Sequence, residues 1–274
     1  MERIQNKAFC FTFYILGFSL DKTVQIPEYK KAQYLSKLEP WTAGQKFSKK
    51  DAESILGTLV HCSLAVPVGR SHLHFMASFN FFSSSFVRRS LNSGVLSDIN
   101  WWWMILSSEF CGSVLSRLLA VSPIPFWVDA SSSYGIGVIF GSQWDSWTLQ
   151  PGWDKDGHNI GWAEFVAIEL GLLFAIHNGY LDTHFSIKSN NHGVIHAIIG
   201  GRSRSPQQNS VLQCITLLLS HYKLWISSSY VPSLDNLADL PSRGLPLPNH
   251  TRAPTTFALP DSLCPFLLHS PLVT

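Results

Sequence analysis

The chain has 274 residues, 46% of them apolar and only 14% charged, with ten Trp and eighteen Phe. That composition builds a large core and excludes wholesale disorder, and the length suits one or two domains of about 100–200 residues each. The net charge of +2 is unevenly spread: residues 1–120 carry 13 Lys/Arg against 8 Asp/Glu, and residues 121–274 carry 7 against 10, so a basic part precedes a mildly acidic, carboxylate-bearing one.

The apolar run from Ala8 to Leu20 follows Glu2, Arg3 and Lys7 and lacks a small-residue cleavage site, so it does not read as a secretory leader. At about a dozen residues it is too short to span a bilayer, and a buried strand is expected instead. Ile26–Trp41 reads as a Pro-started helix. Ser48 to about Leu64 reads as a second, with Ser48 and Asp51 as a capping box. Asp98 is expected to open a third helix carrying Trp101, Trp102 and Trp103. Successive residues turn by about 100°, so the three indoles face different ways. Bridging of two packed surfaces is the simpler reading, and stacking on bases the sharper one.

Ser122-Pro123-Ile124-Pro125 breaks this helical region, and the pattern then changes. Phe126–Ala130, Gly135–Phe140 and Trp144–Leu149 read as three hairpin-linked strands. A long helix over Gly161–His177, stopped by Asn178-Gly179, comes next. Then follow a strand over His184–Ser189, a helix over about Asn191–Ile199 ended by Gly200-Gly201, a Pro206-started helix to about His221, a strand over Leu224–Tyr230 and a short helix near Asp235–Leu240. This order implies a mixed sheet covered by helices. The Pro-rich tail from Leu245 lacks periodicity and is expected to be irregular. Cys10, Cys62, Cys111, Cys214 and Cys264 form no CxxC pair, and they read as small buried apolar residues of a reducing, intracellular compartment.

Several residues invite a chemical reading. Asp129 ends an otherwise apolar strand, where a carboxylate is costly unless compensated, though a turn-forming role also fits. Glu164 lies in the first turns of a helix apolar nearly all round, where it also suits the helix dipole. Glu169, five residues on, lies about 140° away and cannot share a site with it. Asn190 and Asn191 end the fourth strand. Asp235 and Asp239 are four apart, with capping the simpler role for Asp235. His192 and His196 have the spacing of a metal pair, but no third ligand is evident.

Four words in order carry a resemblance: Trp-Val-Asp-Ala-Ser (127–131), Trp-Ala-Glu (162–164), Ser-Asn-Asn (189–191), and Tyr-Val-Pro at 230–232 with Asn-Leu-Ala-Asp-Leu-Pro-Ser-Arg-Gly at 236–244. Together they resemble the ribonuclease H domain of retrotransposon reverse transcriptases. Upstream, Tyr14-Ile15-Leu16-Gly17-Phe18 is similar to the strand that closes a reverse-transcriptase palm. Residues 56–59, 67–70 and 98–102 look like its thumb and connection. The resemblance implies an α/β fold: a ribonuclease H-like mixed five-stranded sheet with flanking helices over 122–245, after a mainly helical thumb/connection-like region over 1–121 and before a tail over 246–274. The polymerase's paired aspartates would lie upstream, so a fragment without polymerase activity is expected.

The resemblance also implies chemistry. Four carboxylates of that family hold two Mg²⁺ (or Mn²⁺) ions that cleave the RNA strand of an RNA–DNA hybrid. Asp129, Glu164 and Asp239 match three of them, and Asn190 stands where the fourth, an Asp, belongs. The formal ligand charge falls from −4 to −3. A unit-charge interaction at ~4 Å is worth ~4 kcal/mol at an effective dielectric of ~20, so cleavage is expected to be abolished or weak. Lys188, Arg202, Arg204 and Arg243 are candidate phosphate contacts, each equally at home as a solvated surface charge. Three readings stay open: a reverse-transcriptase-derived chain that binds nucleic acid with impaired cleavage, an active two-metal ribonuclease H, and a non-enzymatic interaction module on the same fold.

Overall fold

The computed structural model describes residues 13–15, 18–20, 23–83, 85–114, 119–253 and 257–270. The chain divides into two compact units between Leu118 and Leu119, a few residues before the Ser-Pro-Ile-Pro break.

In the first unit, β1 (Phe13–Ile15), β2 (Phe18–Leu20), β3 (Thr23–Gln25) and β6 (Gly112–Val114) form an antiparallel sheet, and β4 (Lys46–Phe47) pairs with β5 (Arg89–Ser90). Of the expected Ala8–Leu20 strand, residues 8–12 and 16–17 lie outside the described residues, and so does Cys10. The helices are α1 (Glu28–Leu38), α2 (Lys49–Ala65), α3 (His74–Phe82) and α4 (Ser93–Leu106), with a 3₁₀ turn over Pro67–Leu73. The capping box at Ser48 and Asp51 is present. Helix α4 starts five residues before Asp98, at the Asn92 N-cap, which accepts from Val95 N–H at 2.9 Å. Asp98 instead sits buried in mid-helix and accepts Met76 N–H at 2.9 Å. It thereby satisfies an orphan amide in the first turn of α3, and burial lifts its carboxyl to about 6. Of the three indoles, Trp102 is fully buried and donates to the His72 carbonyl at 3.0 Å, Trp101 stacks on His72, and Trp103 faces solvent.

The second unit carries the sheet that positions the candidate residues. Its strands are β7 (Phe126–Ala130), β8 (Gly135–Phe140), β9 (Gln143–Leu149), β10 (His184–Ser189) and β11 (Trp225–Tyr230), in the order β11-β10-β7-β8-β9. β7, β8 and β9 are antiparallel neighbours, whereas β10 runs parallel to both β7 and β11. This is the ribonuclease H-like mixed sheet expected from the sequence. The helices α5 (Ile160–His177), α6 (His192–Gly200), α7 (Pro206–His221) and the short α8 (Asp239–Ser242) follow in order. Helix α5 is long and apolar enough to cross a membrane by length and composition, but it is largely buried against the sheet, packing around Phe126, Val128, Phe165 and Phe185.

The tail departs from expectation. Instead of running irregularly, β12 (Thr251–Arg252) pairs parallel with β9 at Gln143 and Trp144. β13 (Leu267–His269) pairs antiparallel with the same strand at Trp147–Leu149. The sheet therefore has seven strands. At the junction between the two added strands, Asp145 is almost fully buried. It takes Arg252 Nε at 3.2 Å and His269 Nε2 at 2.9 Å, while Arg252 also donates to the Ser270 carbonyl. Strands of two and three residues carry no periodicity of their own; these buried polar contacts fix their place together with Ala253, Leu263 and Leu267, which join the core of this unit. Cys62 and Cys111 are buried and Cys214 partly so, but Cys264 is exposed, contrary to the reading of all five as core residues.

Candidate functional site

Asp129 lies near the end of β7 and is only 3% exposed. Alternation along the strand sends Phe126 and Val128 into the core with α5, whereas Trp127 packs with the opposite layer containing Ala238 and Leu247. Asp129 thus points towards the α8 side. There Ser242 Oγ donates to Oδ2 at 2.5 Å and Asn236 Nδ2 to Oδ1 at 3.2 Å. Asn190, just past the end of β10, donates its amide to Ser233 Oγ at 3.2 Å and lies close enough to Asp129 to favour its charged form. Burial and the nearby Asp239 push the Asp129 carboxyl upward, against the pull of these donors and of Arg243.

Glu164 reaches the same place from α5. Burial, reinforced by the charge of Asp129 and opposed by the Ala130 backbone, lifts its carboxyl to about 8. Its Oε2 is buried without a hydrogen-bond partner. Asp239 begins α8 and is held by Arg243 through two 2.9 Å bonds, a bidentate pair. The four positions matched by the resemblance are therefore gathered around Asp129.

A glycine sets the height of α8 over the sheet. Gly137 lies opposite Asp129 on β8, and a Cβ there would come within 2.4 Å of Ser242 N and 2.6 Å of the Ala238 carbonyl. Both neighbours are backbone, so neither can swing aside. Gly137→Ala is expected to lift α8, with a loss of about 1–3 kcal/mol, measurable by denaturant unfolding; unchanged stability would show that α8 is not seated this tightly.

Other expected residues are more dispersed. Lys188 sits over the Trp127 ring at 4.1 Å to the centroid. Arg202 and Arg204 are exposed on the α6–α7 loop. His192 stacks on Tyr230 at 3.8 Å instead of joining a metal site with His196. Asp235 ends a 3₁₀ turn over Ser233–Asp235 and is exposed, while the N-cap of α8 is Ala238, so Asp235 does not cap that helix. Sequence reasoning gave no role to Asn236 and Ser242, although both stand in the quoted 236–244 word. Their signal is a spacing of six residues, with Asp239 midway, that brings two short polar side chains back to one carboxylate.

Two divalent ions are what the resemblance implies here, with Asp129, Glu164, Asp239 and the Asn190 carbonyl as donors. The unpartnered Glu164 Oε2 suits a cation. The oxygens of Asp129 accept from Asn236 and Ser242, and those of Asp239 from Arg243. The residues fit divalent ions at Asp129 and Asp239 only where these donors are displaced.

No protein-family model matches the chain, and no curated protein matches it. Among solved structures, it is similar to RNase H1 from the halophilic archaeon Halobacterium salinarum NRC-1, at 16% identity and a TM-score of 0.33, over 42% of this chain and 89% of that one. It is also similar to the foamy viral protease-reverse transcriptase dRH in complex with double-stranded DNA, at 13% identity and a TM-score of 0.29. The foamy viral protease-reverse transcriptase in complex with an RNA/DNA hybrid is matched at 14% identity and a TM-score of 0.29. The matches to the two viral proteins take in 82% and 90% of this chain but only 38% and 32% of theirs. These likenesses are coarse.

Proposed function

We propose that residues 119–270 are a ribonuclease H-like domain of a reverse-transcriptase-derived chain, which binds RNA–DNA hybrid and cleaves it weakly or not at all. The observation that carries this reading is a neutral amide, Asn190, bonded to Ser233 beside the Asp129 carboxylate, where the resemblance expects a fourth acid. Where a fourth carboxylate would call for external cations, this site stabilises its own charge. Two neutral donors, Asn236 and Ser242, serve Asp129 and a guanidinium serves Asp239. Affinity for a polyanion rests on other groups. Lys188 is half-buried over Trp127 beside a groove of about 310 Å³ that also meets Ser186, Leu237 and His250, and Arg202, Arg204 and Arg243 supply further charge.

A labelled hybrid titrated with the full chain tests this. Binding is expected to weaken steeply with added salt and to fall several-fold in Lys188→Ala, with the RNA strand left essentially intact in Mg²⁺ or Mn²⁺. Efficient cutting by the wild type that disappears in Asp129→Ala would instead make the chain an active ribonuclease H. Absence of binding at low salt would leave an interaction module on this fold.

A further inference from the structure

Helix α5 carries a second buried carboxyl on a different face from the first. Glu169 is only 3% exposed and has no hydrogen-bond or ion-pair partner among the described residues. It lines a half-open cavity of about 330 Å³ between α5 and α7, flanked by Ser262, Leu263 and Phe266. Trp162 stands seven residues before Glu169, two helical turns away on the same face of α5. Gln207 and Cys214 have the same relation on α7, and all four line the cavity.

Three rings form one corner of this space. The centroids of His158 and Trp162 are 4.6 Å apart, those of His158 and Phe266 4.7 Å, and those of Trp162 and Phe266 5.2 Å. No Lys or Arg is among the residues lining the cavity. The Gln207 amide is turned away to the Asp156 carbonyl at 2.7 Å. A buried carboxyl without a hydrogen-bond partner, on a wall that holds no Lys or Arg, is what a cationic guest would complete: the carboxylate gives it a counter-charge, and the rings two helical turns away give its apolar body a surface. The volume lies at the small end of ligand pockets, which run from about 300 to 1,000 Å³.

We propose that this cavity binds a small organic cation, an ammonium or amidinium on an apolar body, with the Glu169 carboxylate as counter-charge and His158, Trp162 and Phe266 as walls. The site is independent of the carboxylate group around Asp129 and stands or falls separately from the hybrid-binding reading.

Burial alone lifts the Glu169 carboxyl to about 7. The other titratable groups on the cavity wall are His158, from the loop before α5, and Cys214, from α7, whose thiol burial raises to about 11. Because the folded value exceeds the ordinary 4.5, the contribution of Glu169 to stability is fully present below that value and is lost as pH rises through about 7. Glu169→Gln should therefore melt with the wild type near pH 5 and above it at pH 8.

The binding test uses benzamidinium and its neutral relative benzamide, titrated calorimetrically into the full chain at pH 8. The expected result is saturable binding of benzamidinium at least tenfold tighter than benzamide, and loss of that preference in Glu169→Gln. Equal affinity for the two probes, a preference kept by Glu169→Gln, or no saturable binding of benzamidinium would each overturn the proposal. The charged-against-neutral comparison is made on the wild type, so it stands even if the variant folds poorly.

Discussion

Asn190→Asp is expected to turn a nearly silent protein into one that cuts RNA–DNA hybrid in Mg²⁺, at least a hundredfold faster than the wild type. The substitution adds a fourth carboxylate to a group in which burial already pushes Asp129 and Glu164 upward, reinforced by Asp239 at Asp129 and by Asp129 at Glu164. It also replaces an amide that donates to Ser233 Oγ with a charged acceptor beside Asp129. At ~4 Å and an effective dielectric of ~20, like charges repel by ~4 kcal/mol. Asn190 is half-buried, so a realised cost of about 1–2 kcal/mol, between the exposed and buried limits, is reasonable.

That cost gives a readout independent of catalysis. Without divalent ions, Asn190→Asp should melt roughly 2–8 °C below the wild type, and millimolar Mg²⁺ should recover most of the difference while leaving the wild type nearly unmoved. Arg243, on the surface and paired to Asp239, is the group that added metal would have to displace. Recovery of stability without cleavage would mean that the ions bind but the substrate is not positioned. A variant that neither responds to Mg²⁺ nor cuts would show that the other three carboxylates do not form the site proposed.

Asp145→Ala is expected to be the most damaging single change in the second unit. It leaves Arg252, whose side chain is only 10% exposed, without its carboxylate partner, although the guanidinium still lies over Trp144 at 5.4 Å. Removing one member of a buried pair costs about 3–5 kcal/mol, a melting shift of roughly 6–20 °C for a domain of this size. His269 loses its contacts to the same carboxylate. β12 and β13 should then detach, with protease cuts appearing between residues 250 and 270 well before global unfolding. If Arg252→Met combined with Asp145→Leu recovers much of the loss, the cost is that of a stranded charge; if it does not, the specific hydrogen bonds carry the strap. A shift below about 2 °C in Asp145→Ala would refute the assignment.

The main elements of the second unit were legible in the sequence because each had its own punctuation. Gly201, left-handed at φ 67°, ends α6, Pro206 starts α7, and Gly179 at φ 82° ends α5. An apolar surface all round α5 placed that helix at the centre, and the order of hairpins and crossovers then gave the sheet. The positions of Asp129, Glu164, Asn190 and Asp239 were legible only as words of a resemblance, since nothing in the spacing of one carboxyl on β7 and another on α5 says that they meet. Asp98 was misread because an acid before an apolar run looks like the cap of its own helix. Its real partner is an amide of α3, 22 residues earlier. The tail was misread because its contacts lie 107 and 124 residues away in sequence. Glu169 could be separated from Glu164 by helical angle alone, but its cavity needs the facing side of α7, which a single helix does not reveal.

The two short strands laid end to end along β9 decide how this sheet can be extended. With Gln143, Trp144 and Trp147–Leu149 already paired, that border offers little free backbone to another polypeptide. At the other border, β11 runs Trp-Ile-Ser-Ser-Ser-Tyr with β10 on one side and no strand on the other among the described residues. Unpaired strand backbone is a template for further pairing. Strand addition to this sheet is therefore directional, open along the serine run of β11 among the described residues and closed along β9 by β12 and β13.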